Sequence, residues 1–319
     1  PKSSSSSAFR LTTSKILYLG NNGEAVIKNV SGISYEPIGT IENMKSNEFD
    51  QTKNLKLMAD CGAICNTSTI IFEDNVHKVS GTPTEGAIRV FVEKLRSLDS
   101  KFSPKTNPAP MDYNDFISEN YEIIYHLEFD RDRKSMGMLA IEKKTNKTVL
   151  FIKGAPEFLI AKATHYLNES GAKAELTQDL KSKITEVISE SFLKQSLRTL
   201  ALCYRDDLPE FNNINVRSKE ELKLYFKDLT NFSKIENGCT VIGFAGIIDP
   251  PRKEVKDAIK TCKIAGIKVI MITGDNKITA DSVGKEIGII DDSNIQSRSW
   301  IASEFFKIPV EKQVSLLKE

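Results

Sequence analysis

Residues 121–154 decide the fold, and they read YEIIYHLEFDRDRKSMGMLAIEKKTNKTVLFIKG. Three runs within them, at 121–129, 135–142 and 148–153, have the length of strands and are rich in apolar and β-branched residues. Thr145 and Asn146 separate the second run from the third, and so short a polar connection is typical of a hairpin. The stretch therefore predicts an antiparallel sheet.

The clearest helix start lies upstream, in GTPTEGAIRVFVEKL. Thr82 is a candidate N-cap, Pro83 occupies the first helical position, and Glu85 follows three residues after the cap, which completes the pattern of a capping box. The next residues place four large apolar side chains on one helix face, at Ile88, Phe91, Val92 and Leu95. The pattern predicts an amphipathic helix.

Further strands and helices surround this pair of features. Apolar alternations over 15–41, broken by turns, predict strands, and 197–204 has strand character as well. Helical periods occur at 55–65, from 156 onwards and over 180–192. Residues 98–115 indicate an irregular connection, and the polar stretch 206–237 indicates a variable surface insertion.

The pattern changes after Cys239. A continuous apolar run, CTVIGFAGI, predicts a buried strand, and a helical stripe, a second apolar run at 267–273 and another helix at 276–287 follow it. Such alternation of strand and helix is typical of a parallel doubly wound sheet. The boundary between the two patterns falls at DPPR, residues 249–252.

Length and charge set wider limits. The chain has 319 residues, which suggests about two domains. A formal net charge of +1 gives no global electrostatic reason to expect nucleic acid or a membrane surface as a partner, and no apolar run approaches the ~18–20 residues of a membrane helix. Five scattered cysteines do not suit a disulfide scaffold, and neither they nor the three histidines have metal-ligand spacing. We therefore expect neither nucleic-acid nor membrane contact, and no metal site.

The run IKVIMITGDNK ends in polar residues just before a predicted helix. Thr273, Gly274 and Asp275 would then lie at the carboxyl end of a strand, where open α/β sheets bind ligands and helix N–H groups attract phosphate. A second interpretation explains the same spacing, because Asp275 or Asn276 could cap the helix while Gly274 forms the turn. The residues alone leave both open.

The stretch EFDRDRKSM places an aromatic residue beside several cations. Phe129, Arg131 and Arg133 share a face if the strand is regular, whereas Lys134 and Met136 join them only after a bend. A base that stacks on Phe129 and phosphates that meet the cations would suit a nucleotide. The alternative is a solvated, charged strand end.

Two other cations stand in strand patterns. Lys153 ends a strand in FIKGAPE, and Gly154 after it allows a ligand to approach the backbone. Arg198 lies between Leu197 and Leu200, and an arginine among apolar residues needs an anionic partner, either an internal carboxylate or a ligand. For Lys153 the common alternative is a lysine on the surface.

Taken together, EFDRDRKSM, KGAPE, DPPR and MITGDN occur in the order and rough spacing found in the P-type ATPases. The chain resembles most closely the sarco/endoplasmic-reticulum type of calcium-transporting pump, and GISYEPIGTI supports that subclass. Walker A, GxGxxG, GxSxG, HExxH and HRD-type motifs do not occur in the sequence, which excludes those classes of chemistry.

The resemblance implies an α/β fold class. An α+β nucleotide-binding domain, with an antiparallel sheet flanked by helices, would cover 11–248. Residues 249–319 would form the hinge and part of a phosphorylation domain with a haloacid-dehalogenase-like Rossmann core. From the serine run at 3–7, we expect residues 1–10 to be a disordered or artificial lead-in.

The resemblance also implies roles for individual residues. Phe129 would stack on adenine, Glu85 would lie at the adenine edge, and Lys153 would line the base pocket. Glu85 could equally cap its helix, or do both. Arg131 and Arg198 would reach toward the phosphates. The implied nucleotide-binding residues are Thr84, Glu85, Phe129, Arg131, Lys134, Met136, Lys153, Gly154, Arg198, Leu200, Arg252, Thr273, Gly274 and Asp275, of which the last three would lie near the transferred phosphoryl group and its magnesium.

The sequence departs from the family at its catalytic motifs, since it contains no DKTGT, GDGxNDxP or TGES. The resemblance therefore implies an ATP-binding cytosolic fragment without a catalytic residue of its own. Its expected cofactors are ATP and Mg²⁺, and its expected partners are the actuator and membrane domains of a pump on the cytosolic face of the endoplasmic or sarcoplasmic reticulum.

Two other functions compete with this interpretation. A stand-alone haloacid-dehalogenase-like phosphatase would need an N-terminal aspartate nucleophile, and residues 1–30 contain no aspartate. A non-catalytic interaction module would leave the four ordered motifs unexplained. We expect saturable ATP binding to discriminate between these possibilities.

Overall fold

Eleven strands form in the computed structural model, which describes residues 11–32, 34–103, 109–249, 251–274 and 277–318. The chain divides into a larger unit, 11–188 with 199–248, and a smaller unit, 189–198 with 249–318. The strands are Thr12–Leu19 (β1), Ala25–Asn29 (β2), Thr69–Glu73 (β3), Val76–Ser80 (β4), Tyr121–Asp130 (β5), Ser135–Glu142 (β6), Lys147–Gly154 (β7), His165–Leu167 (β8), Lys173–Glu175 (β9), Leu197–Arg205 (β10) and Thr240–Ile248 (β11).

Helices flank the strands in the larger unit and make up most of the smaller one. Those that begin before residue 240 are Ser46–Gln51 (α1), Lys53–Ile64 (α2), Pro83–Lys94 (α3), Asp112–Ser118 (α4), Pro156–Lys162 (α5), Gln178–Ser191 (α6), Lys219–Tyr225 (α7) and Thr230–Glu236 (α8). Those that follow are Lys253–Ile264 (α9), Lys277–Glu286 (α10), Ile295–Arg298 (α11), Ala302–Phe305 (α12) and Val310–Lys318 (α13).

The predicted antiparallel sheet is confirmed. Strands β5, β6 and β7 pair antiparallel in sequence, and β7 continues the sheet to β10. The full order is β2-β1-β11-β10-β7-β6-β5, with β8 joined to β11 and β9 to β8. A separate hairpin, β3 with β4, lies outside this sheet.

Helices α2 and α3 pack against the larger sheet. Cys61 of α2 and Cys65, the C-cap residue that follows it, are fully buried, in a core that they share with Phe151 of β7 and Leu202 of β10. The predicted apolar stripe of α3 is also fully buried. All five cysteines are free thiols, and four of them are buried.

The sequence predicted the strand at 239–247 correctly but placed it in the wrong sheet, a parallel one with the residues that follow. The run does form a buried strand, β11, but β11 pairs antiparallel with β1 in the larger sheet and parallel with the short β8. The apolar run fits this place because β11 is buried at successive positions, and therefore on both faces of the sheet. Apolar continuity therefore indicated burial without indicating the neighbouring strand.

The second predicted strand of that pattern, 267–273, is also wrong. Within the described part of the smaller unit these residues belong to no strand, and the side chains of Ile267, Ile270 and Ile272 are exposed. An apolar run becomes a buried strand only where neighbours pair with it, and the described residues of this unit form helices around it. The predicted helices on either side form as α9 and α10.

Two segments expected to be irregular contain helices. Helix α4 begins inside 98–115, of which 104–108 lie outside the described residues. The stretch 206–237 contains α7 and α8, and Phe226 and Ile235 within it are buried. Its aromatic side chains pack together and on Tyr125 of β5, so it belongs to the folded unit. The expected lead-in, 1–10, also lies outside the described residues.

Across the ranges that the structure describes, no helix combines the length and the apolar character that crossing a bilayer requires.

Candidate nucleotide-binding site

A buried ion pair lies at the centre of the predicted site. The Lys153 ammonium is 2.6 Å from Oε1 of Glu85, and the two side chains are only 5% and 8% exposed. Lys153 also donates to the carbonyl oxygen of Cys65, at 2.5 Å. The common alternative for Lys153, a lysine on the surface, is therefore wrong.

The sheet places Lys153 among apolar neighbours. In the antiparallel register, Lys153 stands opposite Met136 of β6 on one side and Leu202 of β10 on the other. Directly opposed residues point to the same face of a sheet, so Lys153 shares its face with two buried apolar side chains. That face is covered by α2, whose last residues supply the Cys65 carbonyl.

Helix α3 delivers Glu85 to this place. Thr82 is the N-cap, as predicted, and its hydroxyl accepts from the amide of Glu85 at 3.4 Å. The Glu85 carboxylate, however, accepts from Lys153, from the Thr67 hydroxyl at 2.7 Å and from the Ser68 hydroxyl at 3.4 Å. Thr82 therefore caps the helix, and the Glu85 carboxylate is directed at Lys153 and Thr67.

The environment of Glu85 keeps it ionised. Burial alone would raise the pKa of the carboxyl group, but the charge of Lys153 and the hydrogen bonds from Lys153 and Thr67 outweigh it and hold that pKa below its usual value. By contrast, burial raises the pKa of the adjacent Cys65 thiol to about 11, against the opposing charge of Lys153, so this sulfur is a neutral core group.

An exposed aromatic ring lies at the edge of the same sheet. Phe129 is 61% exposed and stands near the end of β5, where the pairing with β6 is interrupted between Leu127 and Asp130. Lys153 is two strands away, which corresponds to about 10 Å across a sheet. Met136 belongs to the strand between them and is buried.

The cations after Phe129 lie in a turn and not in a regular strand. Strand β5 ends at Asp130, whose carboxylate accepts from the amides of Asp132 and Arg133 at 3.0 and 2.8 Å. The expected shared face of Phe129, Arg131 and Arg133 is therefore not formed, because the backbone turns. Arg131 is exposed, which leaves its guanidinium accessible to a ligand.

Lys134 and Gly154 hold the other end of this turn. Lys134 is exposed, has a left-handed backbone with φ of 50°, and places its ammonium 5.5 Å from the centre of the Phe158 ring. Its carbonyl accepts from the Ala155 amide at 2.9 Å. A Cβ on Gly154 would lie 2.5 Å from that same carbonyl oxygen, so only glycine fits this close approach.

Arg133 is engaged inside the protein. Its guanidinium bonds to the carboxylate of Glu236 and, at 2.6 Å, to the carbonyl of Glu128, and it lies 5.0 Å from the centre of the Phe232 ring. The sequence offered Arg133 as one more cation for phosphate, but it did not indicate Glu236. That residue lies in the segment interpreted as a surface insertion, and no local pattern marks it.

The remaining predicted residues of the larger unit lie near α3. Thr84 is half-buried, in the first turn of α3. Leu200 of β10 is half-buried and packs against a cluster that includes Ala87 and Ile88 of α3. The larger unit therefore brings nine of the predicted residues to neighbouring strand ends and one helix start, namely Thr84, Glu85, Phe129, Arg131, Lys134, Met136, Lys153, Gly154 and Leu200.

The other predicted residues belong to the smaller unit and are described separately. Arg198 forms an ion pair with Asp249, at 3.5 Å from Nε to Oδ2, so an internal carboxylate partners it. Arg252 is the exposed N-cap residue of α9. Thr273 and Gly274 are exposed, and Asp275 lies outside the described residues.

The residues predicted to lie near magnesium are described only in part, because Asp275, the one carboxylate among them, lies outside the described residues. Magnesium prefers carboxylate and phosphate oxygens, and Thr273 with Gly274 offers neither. Nowhere in the ranges that the structure describes do three or more His, Cys, Asp or Glu side chains gather so that they could hold a metal ion.

Comparison with known proteins identifies the family. The family model of the P-type ATPase cytoplasmic domain N matches residues 54–254, which contain β3 through β11 and the ion pair of the site. This chain belongs to the P-type ATPase family. The resemblance inferred from the four motifs is thereby confirmed, and the large antiparallel sheet flanked by helices is the fold of its domain N.

Three relatives of the family are similar to most of the chain. Calcium-transporting ATPase 4, endoplasmic reticulum-type, of Arabidopsis thaliana is 35% identical over 311 residues, 95% of this chain and 28% of the relative. Endoplasmic reticulum calcium ATPase srcA of Aspergillus fumigatus is 30% identical over 97% of this chain and 32% of its own length. Calcium-transporting ATPase 2, endoplasmic reticulum-type, of Arabidopsis thaliana is 32% identical over 91% of this chain and 28% of its own. The chain thus spans about a third or less of the length of these relatives.

Proposed function

We propose that this chain binds ATP through the larger unit and positions the γ-phosphate for transfer to an aspartate of a calcium-transporting P-type ATPase. Residues 11–248 would be the nucleotide-binding domain, and 249–319 the hinge and part of the phosphorylation domain. The parent protein would work at the cytosolic face of the endoplasmic or sarcoplasmic reticulum, beside its actuator and membrane domains. The names and the family of the relatives support this proposal.

The observation that carries the proposal is the exposed ring of Phe129 two strands away from a buried Lys153–Glu85 pair. An aromatic face supplies stacking for a base at about 1–3 kcal/mol. Adenine presents a hydrogen-bond acceptor next to the donor N6 amine. A carboxylate that only accepts and an ammonium that only donates, side by side, are complementary to that edge.

Lys153 keeps hydrogen-bonding capacity for such a ligand. Among the described residues, Lys153 donates to Glu85 and to the Cys65 carbonyl, which uses two of its three N–H groups. Arg131 and Lys134, exposed in the turn after Phe129, would meet the phosphates. Magnesium would arrive as the counter-ion of the triphosphate. The chain alone would bind ATP without turnover.

The first prediction concerns Phe129. We expect Phe129→Ala to weaken ATP binding about tenfold, because it removes the stacking surface of the base. Calorimetric titration of ATP into the chain measures the dissociation constant. Since the ring is exposed, the substitution should leave the unfolding transition unchanged.

A matched control is available on the separate hairpin of the larger unit. Phe72 on β3 is 53% exposed, and Phe72→Ala removes a similar ring away from the site. ATP binding should be unaffected by it. Equal affinity of the Phe129→Ala variant and the unchanged chain, or absence of saturable ATP binding, would contradict the proposed function.

A further inference from the structure

The turn that carries Phe129 is fixed from behind by a buried polar cluster. We propose that Glu236 and Arg133 form a clamp that sets the conformation of the turn at residues 128–135, and that both are therefore positioning residues for the nucleotide. This inference rests on the proposed function, since it concerns the same site. The clamp is defined here as Glu236 and Arg133, with Ser135 and Lys162 as further contacts of Glu236.

Glu236 is the centre of the clamp. It is the last residue of α8, its side chain is fully buried, and it bonds to Arg133, to the Ser135 hydroxyl at 2.8 Å and to the Lys162 ammonium at 2.6 Å. One carboxylate therefore joins the ends of α8 and α5 to the start of β6. A buried carboxylate needs such partners, because an unpaired buried charge is strongly destabilising.

Arg133 connects the clamp to both ends of the turn. One terminal nitrogen bonds to Glu236 and lies 3.4 Å from the Ser135 hydroxyl, and the other donates to the carbonyl of Glu128 at 2.6 Å. Glu128 precedes Phe129, and Ser135 follows Lys134. A single planar guanidinium thus spans the six residues between its two anchors and fixes the distance across the turn.

A role of Arg133 as a phosphate ligand does not fit these contacts. Its side chain is only 10% exposed, both terminal nitrogens are engaged, and one face of the guanidinium lies against Phe232. Arg131, two residues earlier, is exposed. The two arginines therefore differ in role: Arg131 is open to solvent, whereas Arg133 holds the turn.

A contribution to stability does not by itself explain why these polar side chains are buried here. Well-packed apolar residues often replace a buried ion pair without loss of stability, whereas a polar network restricts the chain to one geometry. The turn needs that restriction, because Lys134 has a left-handed backbone and its carbonyl closely approaches Gly154. The clamp therefore explains how an exposed turn presents Phe129 in a fixed place.

The experiment is a double-mutant cycle between Arg133 and Phe129, with ATP affinity as the readout. Arg133→Met should weaken ATP binding about tenfold in the unchanged chain and by a clearly smaller factor in a chain that already carries Phe129→Ala, because part of the effect acts through that ring and the rest through Arg131 and Lys134 of the same turn. A purely structural loss would have the same effect in both backgrounds. Urea unfolding of each variant establishes that the titrated protein is folded.

Arg205→Met is the matched control. Arg205 is 14% exposed, bonds to Glu210 at 2.8 Å and to the carbonyl of Ile235 in α8 at 3.0 Å, and does not contact the turn. It should leave ATP affinity unchanged. Equal weakening by Arg205→Met, or an equal effect of Arg133→Met in both backgrounds, would overturn the clamp.

Failure of the clamp is distinguishable from failure of the proposed function. If Phe129→Ala weakens ATP binding and Arg133→Met does not, the clamp is wrong and the site stands. If the unchanged chain does not bind ATP, the proposed function fails and the clamp with it. Should Arg133→Met not fold, Arg133→Lys carries the same cycle, since it keeps the charge beside Glu236 and cannot span both anchors; unchanged affinity there also overturns the clamp.

Discussion

At the scale of single residues, the site depends on charges that are buried in pairs. Lys153 and Glu85 neutralise each other, and Arg133 with Lys162 neutralises Glu236. Burial makes each unpaired partner costly, so neither charge of the Lys153–Glu85 pair is easily lost. An adenine edge would therefore meet a pair that is already ionised and oriented.

Asp60 is a further acid whose pKa is shifted by its surroundings. It lies on α2 and accepts a hydrogen bond from the Tyr121 hydroxyl at 2.9 Å. Burial, with smaller contributions from Glu142 and Asp99, raises the pKa of its carboxyl to about 7, against the opposing hydrogen bond of Tyr121. The native state therefore holds a proton that the unfolded chain has lost, and stability falls as pH rises from about 4 to about 7.

Asp60→Asn should remove this dependence. The amide oxygen can still accept from Tyr121 and carries no charge to desolvate, so the variant should be more stable than the unchanged chain above pH 7, by on the order of 4 kcal/mol. The difference should vanish near pH 4. Urea unfolding at a series of pH values measures it, and Asp207→Asn on the surface is the control. A difference that is independent of pH would refute the assignment.

At the scale of elements, the junction of β7 and α5 is the tightest part of the site. Gly154 → Ala would bring a methyl group within 2.5 Å of the Lys134 carbonyl and 2.9 Å of the Cα of Ser135, both of which are backbone atoms. The strands would have to shift, which we expect to cost about 1–3 kcal/mol of unfolding free energy and to weaken ATP binding.

Gly274→Ala provides the comparison for this substitution. Within the ranges that the structure describes, no atom would lie within 4 Å of its Cβ, so its unfolding transition should be unchanged. Thermal or urea denaturation of the two variants, followed by ATP titration, tests the expectation. A Gly154→Ala variant as stable as the unchanged chain would show that the close approach is not required.

The sequence predicted an element correctly where the residues that determine that element are neighbours in the chain. The capped start of α3 and the hairpin of β6 and β7 depend on neighbouring residues, and both were predicted. Helix α8 was not, because its aromatic and apolar residues are buried by distant partners such as Tyr125 on β5. For residues 267–273 the error was the reverse, because a strand was predicted and none formed. An apolar run becomes a strand only where neighbouring strands pair with it.

At the scale of the whole molecule, the site combines residues that are far apart in sequence. Glu85 and Lys153 are 68 positions apart, and Arg133 and Glu236 are 103 apart. Periodicity placed Lys153 at a strand end and Glu85 at a helix start, but only the sheet register brings them into contact. The motif resemblance had named Glu85 and Lys153 together, whereas Glu236 belonged to no motif and became visible only in the structure.

The central claim, that ATP binds at the Phe129 edge of the larger unit, is tested most directly by hydrogen–deuterium exchange of the chain with and without ATP. We predict slower exchange at the start of α3, in the turn at 128–135 and across the junction of β7 and α5. A cavity elsewhere in the same unit, lined by residues that include Tyr18, Lys28 and Glu169, should be unaffected. Slower exchange at that cavity, with no change in the turn, would contradict the account.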